Sequence, residues 1–303
     1  MPENPDTIDD PAAIDHVVLP VGSLAVTRVR LSSLGFTVAQ DAIHPFGTEN
    51  ACVYFADGTF LEPLAVAQRE TCERTASKGN VFTARDQAYR FRRGEDGFSA
   101  LAMATTDATR DHNRFKREGV SAGRKLAFGR RMTMPDGRAE TASFRLAFAA
   151  DLRSPDAFFF VCERVRVPQI DMSELRVHDN GASGIAEVVL SEANPTDFQY
   201  LLQAVLSNRE TEAHSFGMQI AAANGLVDVM TPEGLTAHYG SERKTAGRGL
   251  CLEGFVLRCR SLPEVRNLLE QRGVEFHECI DTLIVPAAPG QGCFIAFREP
   301  PNQ

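Results

Sequence analysis

His16 and Glu62 are the residues of this sequence whose types and surroundings best suit chemistry. His16 lies in the apolar run of residues 14–21, and Glu62 lies in a second apolar run, residues 60–64. Successive side chains of a strand point to opposite faces, so this alternation places Asp15 on the face opposite His16. An imidazole and a carboxylate on one concave face predict either half of a divalent-metal site or a polar pair at the bottom of a pocket.

Other polar residues could contribute to such a site. His44 precedes a turn, residues 45–47, that we expect to lie over the mouth of the cavity, although a loop histidine without a role is an equal alternative. The arginine-rich residues 85–93 could receive an anionic substrate, but such a run is more often a solvated helix face paired with acids. The remaining histidines show no partner at metal-ligand spacing, and we expect them at the surface or in the core: His112, His178, His214, His238 and His277.

The composition is that of a soluble globular protein. Hydrophobic residues make up 43% and charged residues 24% of the 303 positions, and the formal net charge of −8 argues against nucleic acid as a partner. No apolar run approaches the roughly 20 residues that cross a bilayer, so we expect no membrane association. The seven cysteines contain no C-x-x-C pair, which predicts reduced thiols and a cytoplasmic protein. Residues 1–12 are acidic and contain proline, which predicts a disordered leader.

A repeated order of elements organises the rest of the chain. A strand, a helix and three further strands recur four times, with first strands near residues 14, 98, 185 and 253. One such βαβββ module cannot bury both faces of its sheet, so we expect the modules to pair around shared cavities in an α+β fold. The predicted domains are residues 13–168, with modules 13–68 and 97–168 and a helical linker between them, and residues 184–301, with modules 184–232 and 251–301.

The first module resembles the vicinal oxygen chelate superfamily, and within it the glyoxalase-like domain proteins. The matching segments are DHVVLPV at residues 15–21, LGF at 34–36, HPFGTEN at 44–50 and LEPL at 61–64. The superfamily includes glyoxalase I, extradiol dioxygenases, fosfomycin and bleomycin resistance proteins and methylmalonyl-CoA epimerase. The resemblance implies four βαβββ modules paired into two glyoxalase-like half-barrel domains.

The resemblance also implies a set of metal ligands. In the metal-dependent members, the first and last strands of two paired modules each give one ligand, usually two histidines with one or two carboxylates. In the first pair these positions fall on His16, Glu62, Ser99 and either Cys162 or Glu163, depending on a register choice of one residue. The expected metal ligands are therefore His16, Glu62 and Glu163, and Ser99 replaces the expected second histidine.

The second pair of modules offers no histidine at the matching positions. These positions fall on Glu187, Asp228, Gly254 and either Phe297 or Arg298. Two carboxylates alone could hold Mg²⁺ or Ca²⁺ only weakly, so we expect this half to be structural or to hold a metal-free pocket.

The implied function is a divalent-metal-dependent lyase, isomerase or dioxygenase that acts on a small oxygenated substrate in the first-half cavity. Zinc, nickel, manganese or iron would polarise a carbonyl, and a carboxylate whose pKa is raised by the apolar cavity would move the proton. Glu62 and His44 would be the catalytic groups. The alternative is a metal-free module that binds or sequesters a small molecule, which the missing second histidine favours. The sequence leaves open whether the protein is a monomer or a homodimer.

Overall fold

Two large β-sheets, one in each half of the chain, form the scaffold. The computed structural model describes residues 10–133, 138–242 and 249–300. Most of the predicted disordered leader lies outside the described residues. Ala12, however, is ordered, because its amide donates to the Leu206 carbonyl and its side chain packs against the core.

Nine strands lie in the described residues of the first half, and the two central ones are the first strands of the two modules. Ile14–Pro20 (β1) pairs in parallel with Phe60–Val66 (β5) and antiparallel with Ala100–Thr105 (β6). The elements of this half, in chain order, are β1, α1 (Leu24–Ser33), β2 (Ala42–Ile43), β3 (Thr48–Asn50), β4 (Val53–Tyr54), β5, α2 (Arg69–Ser77), α3 (Val81–Arg93), β6, α4 (Ala108–Arg117), β7 (Leu126–Thr133), β8 (Ala139–Ala149) and β9 (Phe158–Arg166).

Local sequence signals explain where the helices that flank β1 and β6 begin and end. Ser23 precedes α1 and accepts a hydrogen bond from the Val26 amide, while Asp107 precedes α4 and caps two amides in the same way. Gly35 ends the turn after α1 with a φ of +89°, a conformation that favours glycine. These short helices cover one face of the sheet and leave the other face free.

The second half repeats this arrangement, with eight strands in the part of it that the structure describes. Ala182–Ser191 (β10) pairs in parallel with Gly225–Met230 (β13) and antiparallel with Cys251–Cys259 (β14). Its elements are β10, α5 (Gln199–Leu206), β11 (Glu212–His214), β12 (Gly217–Ala222), β13, α6 (Pro232–Tyr239), β14, α7 (Leu262–Gln271), β15 (His277–Cys279), β16 (Thr282–Val285) and β17 (Phe294–Arg298), and short 3-10 turns occupy Glu174–Arg176 and Pro195–Phe198. The predicted α+β fold of four βαβββ modules in two half-barrels is confirmed.

One apolar core joins the helix-covered faces of both sheets. It contains Leu31 and Phe55 from the first half and Leu202 and Phe255 from the second half, all fully buried. Hydrogen bonds also cross between the halves, for example from the Ile14 amide to Asn224 Oδ1 at 2.8 Å. The opposite, concave face of each sheet carries its own separate apolar cluster. None of the helices in the described residues is long and apolar enough to cross a membrane.

Candidate functional site

The concave face of the first sheet encloses a cavity of about 410 Å³. This volume lies within the roughly 300–1,000 Å³ that small-molecule sites usually have. Its apolar lining is mostly aromatic and comprises Phe46, Phe60, Phe82, Phe128, Phe144, Leu146 and Phe160. Its polar lining comprises His16, His44, Asn50, Cys52, Tyr54, Glu62, Arg130, Cys162, Arg164 and Arg176.

His16 and Glu62 meet on the floor of this cavity. The parallel register of β1 and β5 sets His16 opposite Phe60 and Val18 opposite Glu62, which puts both polar side chains on the concave face. His16 Nε2 lies 3.4 Å from Glu62 Oε2, and both side chains are buried. The imidazole also stacks on the Phe60 ring, with 4.3 Å between the ring centres. The two residues thus form one polar pair between aromatic walls.

Asp15 joins this pair, although strict alternation places it on the other face. The register of β1 against β6 shifts between Ile14 and His16, and such a bulge re-aims a side chain. Asp15 Oδ2 lies 2.9 Å from His16 Nδ1, and Asp15 Oδ1 lies 2.5 Å from Arg164 Nη2. The sequence prediction of opposite faces is wrong here, because a periodic pattern does not show where a bulge occurs.

The segment HPFGTEN brings His44 and Asn50 to Glu62. His44 Nδ1 lies 2.9 Å from Thr48 Oγ1, and its Nε2 lies 3.7 Å from Glu62 Oε1. The Asn50 amide donates to Glu62 Oε1 at 2.6 Å. Gly47 allows this tight turn, since its φ is +99° and a Cβ would lie 2.7 Å from a backbone oxygen. His44 therefore belongs to the cavity wall and not to an unattached loop.

Burial and hydrogen bonding set opposite charge states for the two histidines. Burial alone would lower the pKa of His16, but hydrogen bonds to Asp15 and Glu62 outweigh it and raise the pKa to about 9. Burial lowers the pKa of His44 to about 4, so His44 is neutral at pH 7. Burial would raise the pKa of Glu62, yet the hydrogen bond and charge of His16 lower it to about 2. Glu62 is therefore not the carboxylate of raised pKa that the sequence analysis expects.

The structure does not bring Glu163 to this floor. Along β9 the side chain of Cys162 lines the cavity, and that of Glu163 points to the other face. There Glu163 accepts hydrogen bonds from the Ala108 amide and from Arg145, both at 3.1 Å. Those bonds cap α4 and hold the carboxylate away from His16.

Ser99 also lies away from His16. It precedes β6, and it lines a much smaller hollow beside the main cavity. The residue opposite His16 on β6 is Ala102. Neither Ser99 nor Ala102 therefore brings a second nitrogen ligand to His16.

The arginine-rich helix α3 has its charges matched by acids. Arg90 pairs with Asp86 at 3.0 Å, and Arg92 pairs with Asp156 at 2.6 Å. These two ion pairs stabilise the packing of α3. This outcome agrees with the alternative of a helix face paired with acids.

The polar residues of the floor do not fit a divalent metal as they are placed. Among residues 10–133, 138–242 and 249–300, no group of three or more His, Cys, Asp or Glu side chains could hold a metal ion. Within the floor, the Asn50 amide donates to the Glu62 carboxylate, where a cation would have to bind. As placed, these side chains form a hydrogen-bonded network rather than the set of three ligands that catalytic metal sites use.

The second half places a different set of charges on its concave face. Tyr239 donates to Glu187 Oε1 at 2.7 Å, and Arg298 donates to Glu187 Oε2 at 2.9 Å. His214, which lies at the surface, places its Nε2 3.0 Å from Asp228 Oδ1. These groups satisfy one another within the protein.

Comparison with known families identifies the family of this chain. The sequence profile of the glyoxalase-like domain family matches residues 14–206, which is more than half of the chain. The chain therefore belongs to the glyoxalase-like domain family. No curated protein matches the chain.

Solved structures share the fold at low sequence identity. A hypothetical protein from Staphylococcus aureus matches with a TM-score of 0.64 and 12% identity over 95% of this chain and 99% of its own. A mutant 4-hydroxymandelate synthase from Streptomyces coelicolor matches with a TM-score of 0.59 and 11% identity over 96% of this chain and 93% of its own. A fusion of a xylose isomerase-like TIM barrel with a 4-hydroxyphenylpyruvate dioxygenase matches with a TM-score of 0.54 and 12% identity over 100% of this chain and 52% of its own. At these identities the likeness concerns the fold alone.

Proposed function

We propose that the first half-barrel binds a small, mainly aromatic molecule with oxygen substituents, using protein side chains and no metal. The observation that carries this proposal is the hydrogen-bonded chain of Asp15, His16, Glu62 and Asn50 at the floor of the aromatic cavity. A mostly apolar pocket with a few convergent polar groups is the usual form of a small-molecule site.

The charge states of the floor favour binding over proton abstraction. A general base works best when its pKa lies near the working pH. Glu62, with a pKa of about 2, and His44, with a pKa of about 4, are weak bases at pH 7. The ionised Glu62 carboxylate instead remains able to accept a hydrogen bond from a ligand hydroxyl or amine. The floor is thus a charged recognition surface.

The aromatic walls supply the affinity. A bicyclic aromatic ligand that buries about 200 Å² of apolar surface gains about 5 kcal/mol at roughly 25 cal/mol/Å². Part of this gain is offset by the cost of association, so we expect a dissociation constant between about 0.2 mM and 1 mM for a simple probe.

Titration of the full chain with 2-naphthol in the presence of EDTA tests the proposal. The sequence contains no tryptophan, so the naphthol emission can be followed with little protein background. We expect saturable binding of one equivalent. The variant Cys162→Phe, which adds a ring inside the cavity, should abolish it, whereas Cys279→Phe, which adds the same ring in the second half, should not. Unchanged affinity in a folded Cys162→Phe variant would contradict the proposal.

The second candidate is a divalent-metal-dependent lyase, isomerase or dioxygenase. What favours it is the convergence of His16 Nε2 and His44 Nε2 on one carboxylate, while Asp15 and Thr48 hold the two Nδ1 atoms. The superfamily neighbours named as a synthase and a dioxygenase agree with it. Elemental analysis of the protein purified without chelator separates the candidates. A stoichiometric metal that is lost in His44→Gln would replace our first proposal with this one.

A further inference from the structure

Arg130 is a cavity residue that forms a side-chain hydrogen bond with Tyr54 and still keeps one buried donor unpaired among the described residues. It lies on β7 and lines the cavity together with Phe128, two residues earlier on the same face. Its Nε atom is buried and has no hydrogen-bond partner among the described residues. A buried donor without a partner is costly and rare in folded proteins, so a group that fills the cavity is the natural acceptor.

The charge of Arg130 is also unbalanced within the cavity. His16 lies between the carboxylates of Asp15 and Glu62, and Arg164 pairs with Asp15, so the formal charges of these four side chains cancel. None of the ion pairs formed among the described residues includes Arg130. The guanidinium carbon lies 6.0 Å from the centre of the Phe144 ring, which places the charge against an apolar wall. A cation in such surroundings attracts an anion.

The influence of this charge reaches the cavity floor. Burial is the main cause of the low pKa of His44, and the positive charge of Arg130 lowers it further. The same charge acts on Cys52 and Tyr54, which line the cavity beside His44. An anionic group of a bound ligand would therefore lie between Arg130 and the aromatic rings.

We infer that the first-half cavity takes an aromatic carboxylate whose anionic group pairs with Arg130. This inference rests on the proposed binding function of the same cavity and adds the charge of the ligand to it. The Nε–H and Nη–H groups of a guanidinium form a planar fork that matches the two oxygens of a carboxylate. The rings of Phe60, Phe128 and Phe160 would hold the aromatic body.

Two probes of the same shape and different charge test the inference. We expect 2-naphthoate to bind the full chain at least about tenfold more tightly than the neutral 2-naphthamide, because a charge-assisted bidentate pair replaces a neutral contact. In Arg130→Gln this preference should fall below about twofold, because naphthoate loses its charged partner. Arg130→Lys, which keeps the charge and loses the fork, should give an intermediate preference.

Arg131→Gln is the matched control. Arg131 is exposed and follows Arg130 on β7, so its side chain points to the opposite face of the strand and its removal takes away the same charge. This variant should keep the full preference for naphthoate. Equal losses in Arg130→Gln and Arg131→Gln would show a general charge effect and overturn the inference.

The remaining outcomes separate the inference from the function on which it rests. If both probes bind the wild-type cavity equally, or if a folded Arg130→Gln keeps the preference, the inference fails and the binding function stands. If neither probe binds the wild-type protein, or if Cys162→Phe leaves both affinities unchanged, the proposed function fails and the inference fails with it.

Discussion

The two half-barrels share one strand register but differ in what occupies their concave faces. Glu187 and Asp228 take, on β10 and β13, the positions that His16 and Glu62 take on β1 and β5. In the first half these positions form a charged pair that lines a cavity. In the second half Glu187 is bound by Tyr239 and by Arg298.

The helix that follows the fourth strand explains much of this difference. In the second half, Thr231 and Pro232 start α6 directly after β13, and Tyr239 at its end stacks on Phe294 with 4.7 Å between the ring centres. In the first half, two helices, α2 and α3, follow β5, and Phe82 of α3 only lines one side of the cavity. The same scaffold can therefore be packed by its own tyrosine or left open for a ligand.

A second difference lies on the last strand of each half. Successive strand pairings make Arg298 of β17 the counterpart of Cys162 of β9. Arg298 supplies an internal cation to Glu187, whereas the small thiol of Cys162 leaves space beside His16. The open cavity of the first half therefore depends on small side chains as much as on charged ones.

Removing the tyrosine that packs the second half should have the largest effect. We expect Tyr239→Ala to lower the free energy of unfolding by about 3–5 kcal/mol, as for other large-to-small changes in a core. Tyr239→Phe, the matched control, keeps the ring and loses only the bond to Glu187, so about 1–2 kcal/mol is expected. Denaturant titration measures both changes. Similar losses in the two variants would mean that the ring does not pack this face.

The charged pair of the first half should make stability fall in alkali. The pKa of His16 is raised from 6.5 to about 9, so its contribution is fully present below pH 6.5 and is lost as the pH rises through 9. The loss should reach about 3 kcal/mol, since one pKa unit corresponds to about 1.4 kcal/mol. Denaturant titrations from pH 6.5 to 9 measure it. His16→Gln should remove this dependence of the unfolding free energy on pH. A dependence that persists in the variant would mean that other groups cause it.

The stability contributed by the second half should change over a different pH range. The pKa of Asp228 is raised from 3.8 to about 6, mainly by burial and by the charge of Glu187. A raised pKa means that its contribution is present below pH 3.8 and is lost as the pH rises through 6. Asp228→Asn should remove this slope and leave the alkaline one unchanged. A change of the alkaline slope in Asp228→Asn would show that the two halves titrate together.

The smallest effect on stability is expected for Arg164, the outermost of the charged residues linked to His16. Arg164 pairs with the buried Asp15, but its own side chain is 41% exposed. Solvent screening limits such a pair, so Arg164→Gln should cost about 0.5–1 kcal/mol in denaturant titration. A loss above about 3 kcal/mol would instead mark the pair as a buried one.

Much of the candidate site follows from sequence alone. Strand alternation and the glyoxalase-like segments predict that His16 and Glu62 share a concave face, and they identify His44 as a neighbour of the cavity. Arg130 could have been found by the same alternation, since Phe128 and Arg130 fall on one face of a strand. The contact of Asp15 with His16 could not be predicted, because a bulge moves Asp15. The face on which Glu163 lies could not be predicted either, because a shift of one residue decides whether Glu163 or Cys162 lines the cavity.

The sequence by itself determined the repeated modules, the alternating faces and the helix ends, since these depend on residues close together in the chain. Only the tertiary structure decided that Glu62 is strongly acidic, that Glu163 caps a helix and that Tyr239 packs the second half-barrel. Each of these properties depends on groups from distant segments that meet in a low-dielectric interior, where a few ångströms set the balance between burial and hydrogen bonding.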